Sequence, residues 1–133
     1  MTQWLIGFAA SGLAFLGLDA VWLNYAAPRL YRPLLGDILR DGFSLPPAIA
    51  FYLIYITGVL IFAVAPALEG GRWTGAALRG AMLGFLCYAT YDLTNQATLR
   101  TWSTTITVLD LAWGTFLTAV AATAGFLAVR AAS

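Results

Sequence analysis

The chain has 133 residues, 61% of them hydrophobic and only 10% charged, with a mean hydropathy of +0.81 and a net charge of +1. A soluble domain carries about 25% charged residues, so this composition cannot cover a water-facing surface. It excludes nucleic acid as a partner, since no basic stripe exists to neutralise phosphates, and it points to an all-α bundle whose main partner is the lipid bilayer.

About 20 apolar residues cross the hydrocarbon as a helix, and such windows fall at roughly 3–25, 47–68, 76–98 and 104–129. They predict a four-transmembrane-helix bundle, a single integral membrane domain over residues 1–133. The first window, MTQWLIGFAASGLAFLGLDAVWL, has no basic n-region and no convincing cleavage site. It reads as a retained span rather than a signal peptide.

Between the first two spans, residues 28–45 alternate Arg and Asp with Leu30, Leu34, Leu35, Ile38 and Leu39. That pattern predicts a short amphipathic segment at the interface, its arginines snorkelling outward. Pro46 and Pro47 suit the first turn of the second span, where a missing N–H costs nothing. Glu69-Gly70-Gly71 closes that span, and Arg100 to Ser103 separates the third from the fourth. Arg29, Arg32, Arg40 and Arg100 fall on one side, Arg72, Arg79 and Arg130 on the other. The positive-inside bias then places the 28–45 loop in the cytoplasm and both termini outside.

Scarce residues narrow the chemistry. Cys87 is the single cysteine, which excludes an internal disulfide and a Cys-x-x-Cys zinc or redox pair. With no histidine, most haem ligation and every Ser-His or Cys-His nucleophile are excluded. No cofactor and no catalytic residue are assigned; whether a metal binds is left open.

Three of the six acids lie inside spans: Asp19, Asp92 and Asp110. Asp19 stands nine residues before Pro28, Asp92 eight before Arg100, and Asp110 ten after Arg100. At about 1.5 Å per residue each lies roughly 12–15 Å from its flanking loop, all in one leaflet. Tyr88, Asn95 and Gln96 share the Asp92 face at helical spacing, and Trp22 and Trp113 each follow an Asp by three residues. An indole there can donate to its carboxylate or wall the site from lipid. An intramembrane acid costs on the order of 2.5–3.5 kcal/mol by insertion scales and defaults to a functional hypothesis. Three unpaired carboxylates close together cannot all remain ionised. Asp19, Trp22, Tyr88, Asp92, Asn95, Gln96, Asp110 and Trp113 are therefore the candidate binding residues. On this reading Asp92→Asn is tolerated, while Asp92→Leu harms assembly by stranding polar partners on the first and fourth spans. The structural alternative is that these groups are interhelical glue, with Gly114, Thr118, Ala122 and Gly125 as packing notches.

The strings FLGLDAVWL, FYLIYITGVLIFAVAPALEGG, GFLCYATYDLTNQATLRTW and VLDLAWGTFLTA resemble a family of small bacterial integral membrane proteins catalogued as a domain of unknown function. The resemblance runs from about residue 4 to 122 and implies four spans in a bacterial inner membrane. It implies no activity.

Three functions compete. The favoured one is a bundle whose Asp cluster binds or translocates a proton, a cation or a small, cationic solute; with so few helices, a homo-oligomer is expected. The second is an enzyme in which two aspartates share a proton. The third is an accessory or scaffold subunit whose polar groups only specify packing.

Overall fold

A computed structural model of the chain describes residues 1–40 and 44–133. The described residues are helical in four rods. The first comprises α1 (Thr2–Ala26), a π-helical turn (Ala27–Tyr31), α2 (Arg32–Leu35) and a 3-10 turn (Gly36–Ile38). The second comprises α3 (Leu45–Val59), a π-helical turn (Leu60–Val64) and α4 (Ala65–Gly70). α5 (Trp73–Thr98) and α6 (Thr104–Ala132) complete the bundle.

Three rods are long and apolar enough to cross a membrane: Thr2–Ile38, Leu45–Gly70 and Thr104–Ala132. α5 has the length, at 26 residues. Its hydropathy is lowered by Arg79, Asp92, Asn95, Gln96 and several threonines.

The expected interfacial segment over 28–45 is not observed as a separate element. The first rod instead continues through Pro28 and Pro33 to Ile38. Both prolines lie inside this continuous rod, where each lacks the N–H that would bond back to the preceding turn. The intervening turn is π-helical, a wider winding that absorbs the mismatch. The part of the expected segment at 41–43 lies outside the described residues. Pro46 and Pro47 open α3 as their chemistry dictates. Pro66 follows the second π turn, the ordinary company of a proline inside a long rod. Gly71 closes α4 in the left-handed conformation at φ 75°, which a side chain would resist.

The most extensive contact joins α5 to α6, and α1 also lies along α6. Without a hydrophobic drive between helices in lipid, small residues decide where helices meet. Gly80 and Gly84 form a Gly-x-x-x-Gly notch on α5. A Cβ on Gly80 would lie 2.7 Å from the Thr118 carbonyl oxygen, and one on Gly84 would collide with the Gly114 carbonyl. On α1, Ser11 donates to the Ala121 carbonyl at 2.8 Å, opposite Gly125. Phe15, Val59, Leu60, Leu117 and Phe126 fill the space among the rods. Leu13, Val21, Ile54 and Leu78 face outward.

Candidate functional site

α1 carries Asp19 and Trp22 one helical turn apart, and α6 carries Asp110 and Trp113 at the same spacing. The two indoles stack with centroids 4.9 Å apart and planes within 16°. Neither indole donates to the acid of its own helix. Trp113 Nε1 donates across to Asp19 Oδ1 at 3.4 Å, and Trp22 Nε1 donates to the Tyr31 hydroxyl at 3.1 Å. Tyr31 in turn donates to Asp110 Oδ1, and Tyr52 from α3 donates to Asp19 Oδ2 at 2.8 Å. Two hydrogen-bonded runs, Tyr52–Asp19–Trp113 and Trp22–Tyr31–Asp110, are thus joined into one chain by the stacked indoles. It ties together the first rod, α3 and α6.

Asp92 stands outside that chain. It is completely buried on α5, and among the described residues neither carboxyl oxygen has a hydrogen-bond partner. The carboxyl it interacts with is that of Asp110. Tyr88, one turn earlier, lays its ring against Gly114, where any Cβ would collide with it. Asn95 interacts with the hydroxyl of Tyr91. Gln96 belongs to the turn between α5 and α6: its amide donates to Thr104 Oγ at 2.9 Å and its carbonyl accepts from Thr107 Oγ at 2.8 Å. Trp102 Nε1 completes that group by donating to Thr107 Oγ at 3.0 Å.

The expected three-carboxylate cluster does not form. Among the described residues, no three Asp, Glu, Cys or His side chains come together as a metal-holding group. The physical reason is stagger: Asp19 turns to Tyr52 and to Trp113, a full turn along α6 from Asp110, while Asp110 turns to Tyr31. A proton, cation or small-solute site built on such a cluster is therefore withdrawn.

Three tyrosines that the sequence reading overlooked complete the polar network: Tyr31, Tyr52 and Tyr55, whose hydroxyl bonds Thr118 Oγ at 2.7 Å. A signal did exist for two of them. Tyr52 and Tyr55 are three residues apart inside an apolar run, and a buried phenol must find a partner. Tyr31 was masked by its assignment to an interfacial loop.

Beside the Tyr31–Asp110 bond lies a chamber of about 480 Å³. Leu23, Ala27, Tyr31, Leu35 and Ile38 recur at helical spacing along the first rod and form one wall. Tyr91, Trp102 and Asp110 face them, with Arg32, Arg40 and Ser44 also at its edge. Its volume and mainly apolar lining, with a few polar groups at one point, are those of a small-molecule site.

No curated protein and no solved structure matches the chain. A family model does, over residues 4–127. This is nearly the whole length, and the chain belongs to the family described as "Predicted membrane protein (DUF2177)", a multi-pass protein of the lipid bilayer.

Proposed function

We propose that the protein is a four-span membrane module that holds one amphiphile from the bilayer in the chamber between the first rod and α6. The observation that carries this reading is the chamber itself: about 480 Å³, walled by Leu23, Leu35, Ile38 and Trp102, and ending at Asp110 and Tyr31. An acyl or prenyl chain satisfies the apolar walls. Tyr31 donates to one oxygen of Asp110 and the Asp92 carboxyl lies against the same group, but a carboxylate has about four acceptor sites, which leaves room for a further donor. The head group that fits is therefore a hydrogen-bond donor, such as an alcohol or an amide. This reading needs neither a three-acid cluster nor passage of anything across the membrane. Trp22, Trp113 and Asp19 serve it by holding Tyr31 and α6 in place, and Asp92 lies behind Asp110.

α5 is taken as the fourth span, in one domain over residues 1–133. Its 26 residues reach about 39 Å, and it lies along α6. Four arginines at the chamber end against three at the other support a cytoplasmic chamber in a bacterial inner membrane.

The test is photolabelling in native-like membranes with a diazirine-bearing fatty alcohol, followed by peptide mapping. Label is expected to concentrate on Tyr31, Leu35 and Trp102. It should fall several-fold in Ala27→Phe, whose ring projects into the chamber, while the thermal transition stays in place. Equal labelling of outward-facing Leu53 and Ile54, unchanged by Ala27→Phe, would sink the reading.

A further inference from the structure

A second cavity lies at the opposite end of the bundle, independent of the chamber. It is an open groove of about 500 Å³ between the α4–α5 turn and the last turns of α6. Two arginines reach it from different elements, Arg72 before α5 and Arg130 on α6. Phe126 and Leu127 form its apolar lining, and Trp73 and Thr74 stand beside them. Glu69, the nearest acid in the sequence, is absent from the lining, so both charges that face the groove are positive.

Arg130 is held rather than loose. Its Nη1 donates to the Gly71 carbonyl at 3.0 Å, and its guanidinium lies 5.5 Å from the centroid of the Phe126 ring. Those contacts leave donors of the planar fork for an anion, since a guanidinium carries five N–H groups. Arg72 is exposed and shows no side-chain cap on α5. Trp73 is 55% exposed beside them, as tryptophans are at the headgroup level of a membrane.

We infer that this groove binds a phosphate-bearing group, with the head group of an anionic phospholipid seated between Arg72 and Arg130 and its chain lying on the exposed Leu127 and Trp73. Two arginines converging on an apolar floor match the two halves of such a lipid. A zwitterionic head group would bring a positive charge to a place where none is balanced. Free inorganic phosphate shares the charged half of this chemistry but has no use for the apolar half.

Native mass spectrometry of the full chain released from vesicles of phosphatidylcholine with phosphatidylglycerol tests this directly. The parent should retain phosphatidylglycerol in preference to phosphatidylcholine. Near a membrane surface each arginine is worth enough that removing one weakens anionic lipid binding about fivefold. Arg72→Gln and Arg130→Gln should each lower the retained ratio by that factor, whereas Arg29→Gln at the other end should not. Arg130→Lys keeps the charge and should recover much of the ratio, which separates loss of binding from loss of folding. Inorganic phosphate in millimolar excess supplies the remaining arm. Retention that survives it identifies lipid as the source, and arginine-dependent displacement by it identifies a free anion at the same site. Equal retention of both lipids, or a loss in Arg29→Gln as large as in Arg72→Gln, overturns the inference.

Discussion

The α5–α6 pair uses two different means of contact at its two ends, and the contrast explains where a cavity can exist. Along Gly80 and Gly84 the helices meet almost backbone to backbone, with Thr118 and Ala122 opposite. Further along, the Tyr88 ring lies on Gly114, the Asp92 and Asp110 carboxyls face one another, and Gln96 bonds Thr104 and Thr107, so contact there passes through side chains. Close approach leaves no room. Large polar side chains hold helices apart and create edges that cannot all be filled, and the chamber of about 480 Å³ opens beside them. In lipid, where burial of apolar surface does not favour helix–helix contact, these are the two available fasteners.

The sharpest way to break the comparison is to close the notch. Gly84→Ala puts a Cβ against the Gly114 carbonyl and the Thr118 side chain. A backbone atom cannot swing aside, so the cost should reach the upper part of the overpacking range, about 3 kcal/mol. Thermal unfolding in detergent should show a large drop in transition temperature. Gly17→Ala is the matched control, because no atom lies within 4 Å of its added Cβ. There the change should stay within about 1 kcal/mol and lean toward stabilisation, since alanine is the better helix former.

The polar end makes the opposite prediction at Asp92. Sequence reasoning expected Asp92→Leu to strand hydrogen-bond partners on neighbouring helices. Among the described residues the Asp92 oxygens make no geometrically formed hydrogen bond, and the group they face is another acid, Asp110. Replacing an unsatisfied buried polar group by an apolar one of similar size removes its desolvation penalty, about 1–3 kcal/mol. Asp92→Leu should therefore unfold at a higher temperature than the parent. A fall as large as that of Gly84→Ala would show that Asp92 has a partner essential to the bundle.

These two sites also mark what could be read from the sequence. Rod boundaries were legible, because they depend on local chemistry. Apolar windows at 47–68 and 104–129 became rods at Leu45–Gly70 and Thr104–Ala132, opened by Pro46 and Pro47 or capped by Ser103. Counting residues from Pro28 and Arg100 could not give the relative placement of Asp19, Asp92 and Asp110, because the first rod runs on to Ile38 and the stagger and rotation of each helix are fixed by contacts with other helices. Those contacts depend on Gly84, Gly114 and Ser11 meeting particular partners. The extension of the first rod was lost for a different reason. Pro28 and Pro33 look like breakers, and only the π turn between α1 and α2 reveals that the chain winds on past them.

The smallest expected effect concerns the polar chain that holds α3 to the first rod and α6. Tyr52→Phe removes one hydroxyl and leaves Asp19 with its weaker bond from Trp113, 3.4 Å against 2.8 Å. Interhelical hydrogen bonds in membrane proteins average about 0.6 kcal/mol by double-mutant cycles, because the separated helices also find partners. Tyr52→Phe should cost about that much. Asp19→Asn keeps an acceptor for one donor but presents an amide N–H to the other, so its own cost should be similar or somewhat larger. The informative quantity is the coupling. If the Tyr52–Asp19 bond fastens the bundle as the geometry shows, the double variant should be less destabilised than the sum of the two, by about 0.6 kcal/mol. Strict additivity would mean that Tyr52 and Asp19 do not support one another. The aromatic stacking of Trp22 on Trp113 would then be the contact that fixes α1 against α6, leaving the carboxylate a bystander in the chain.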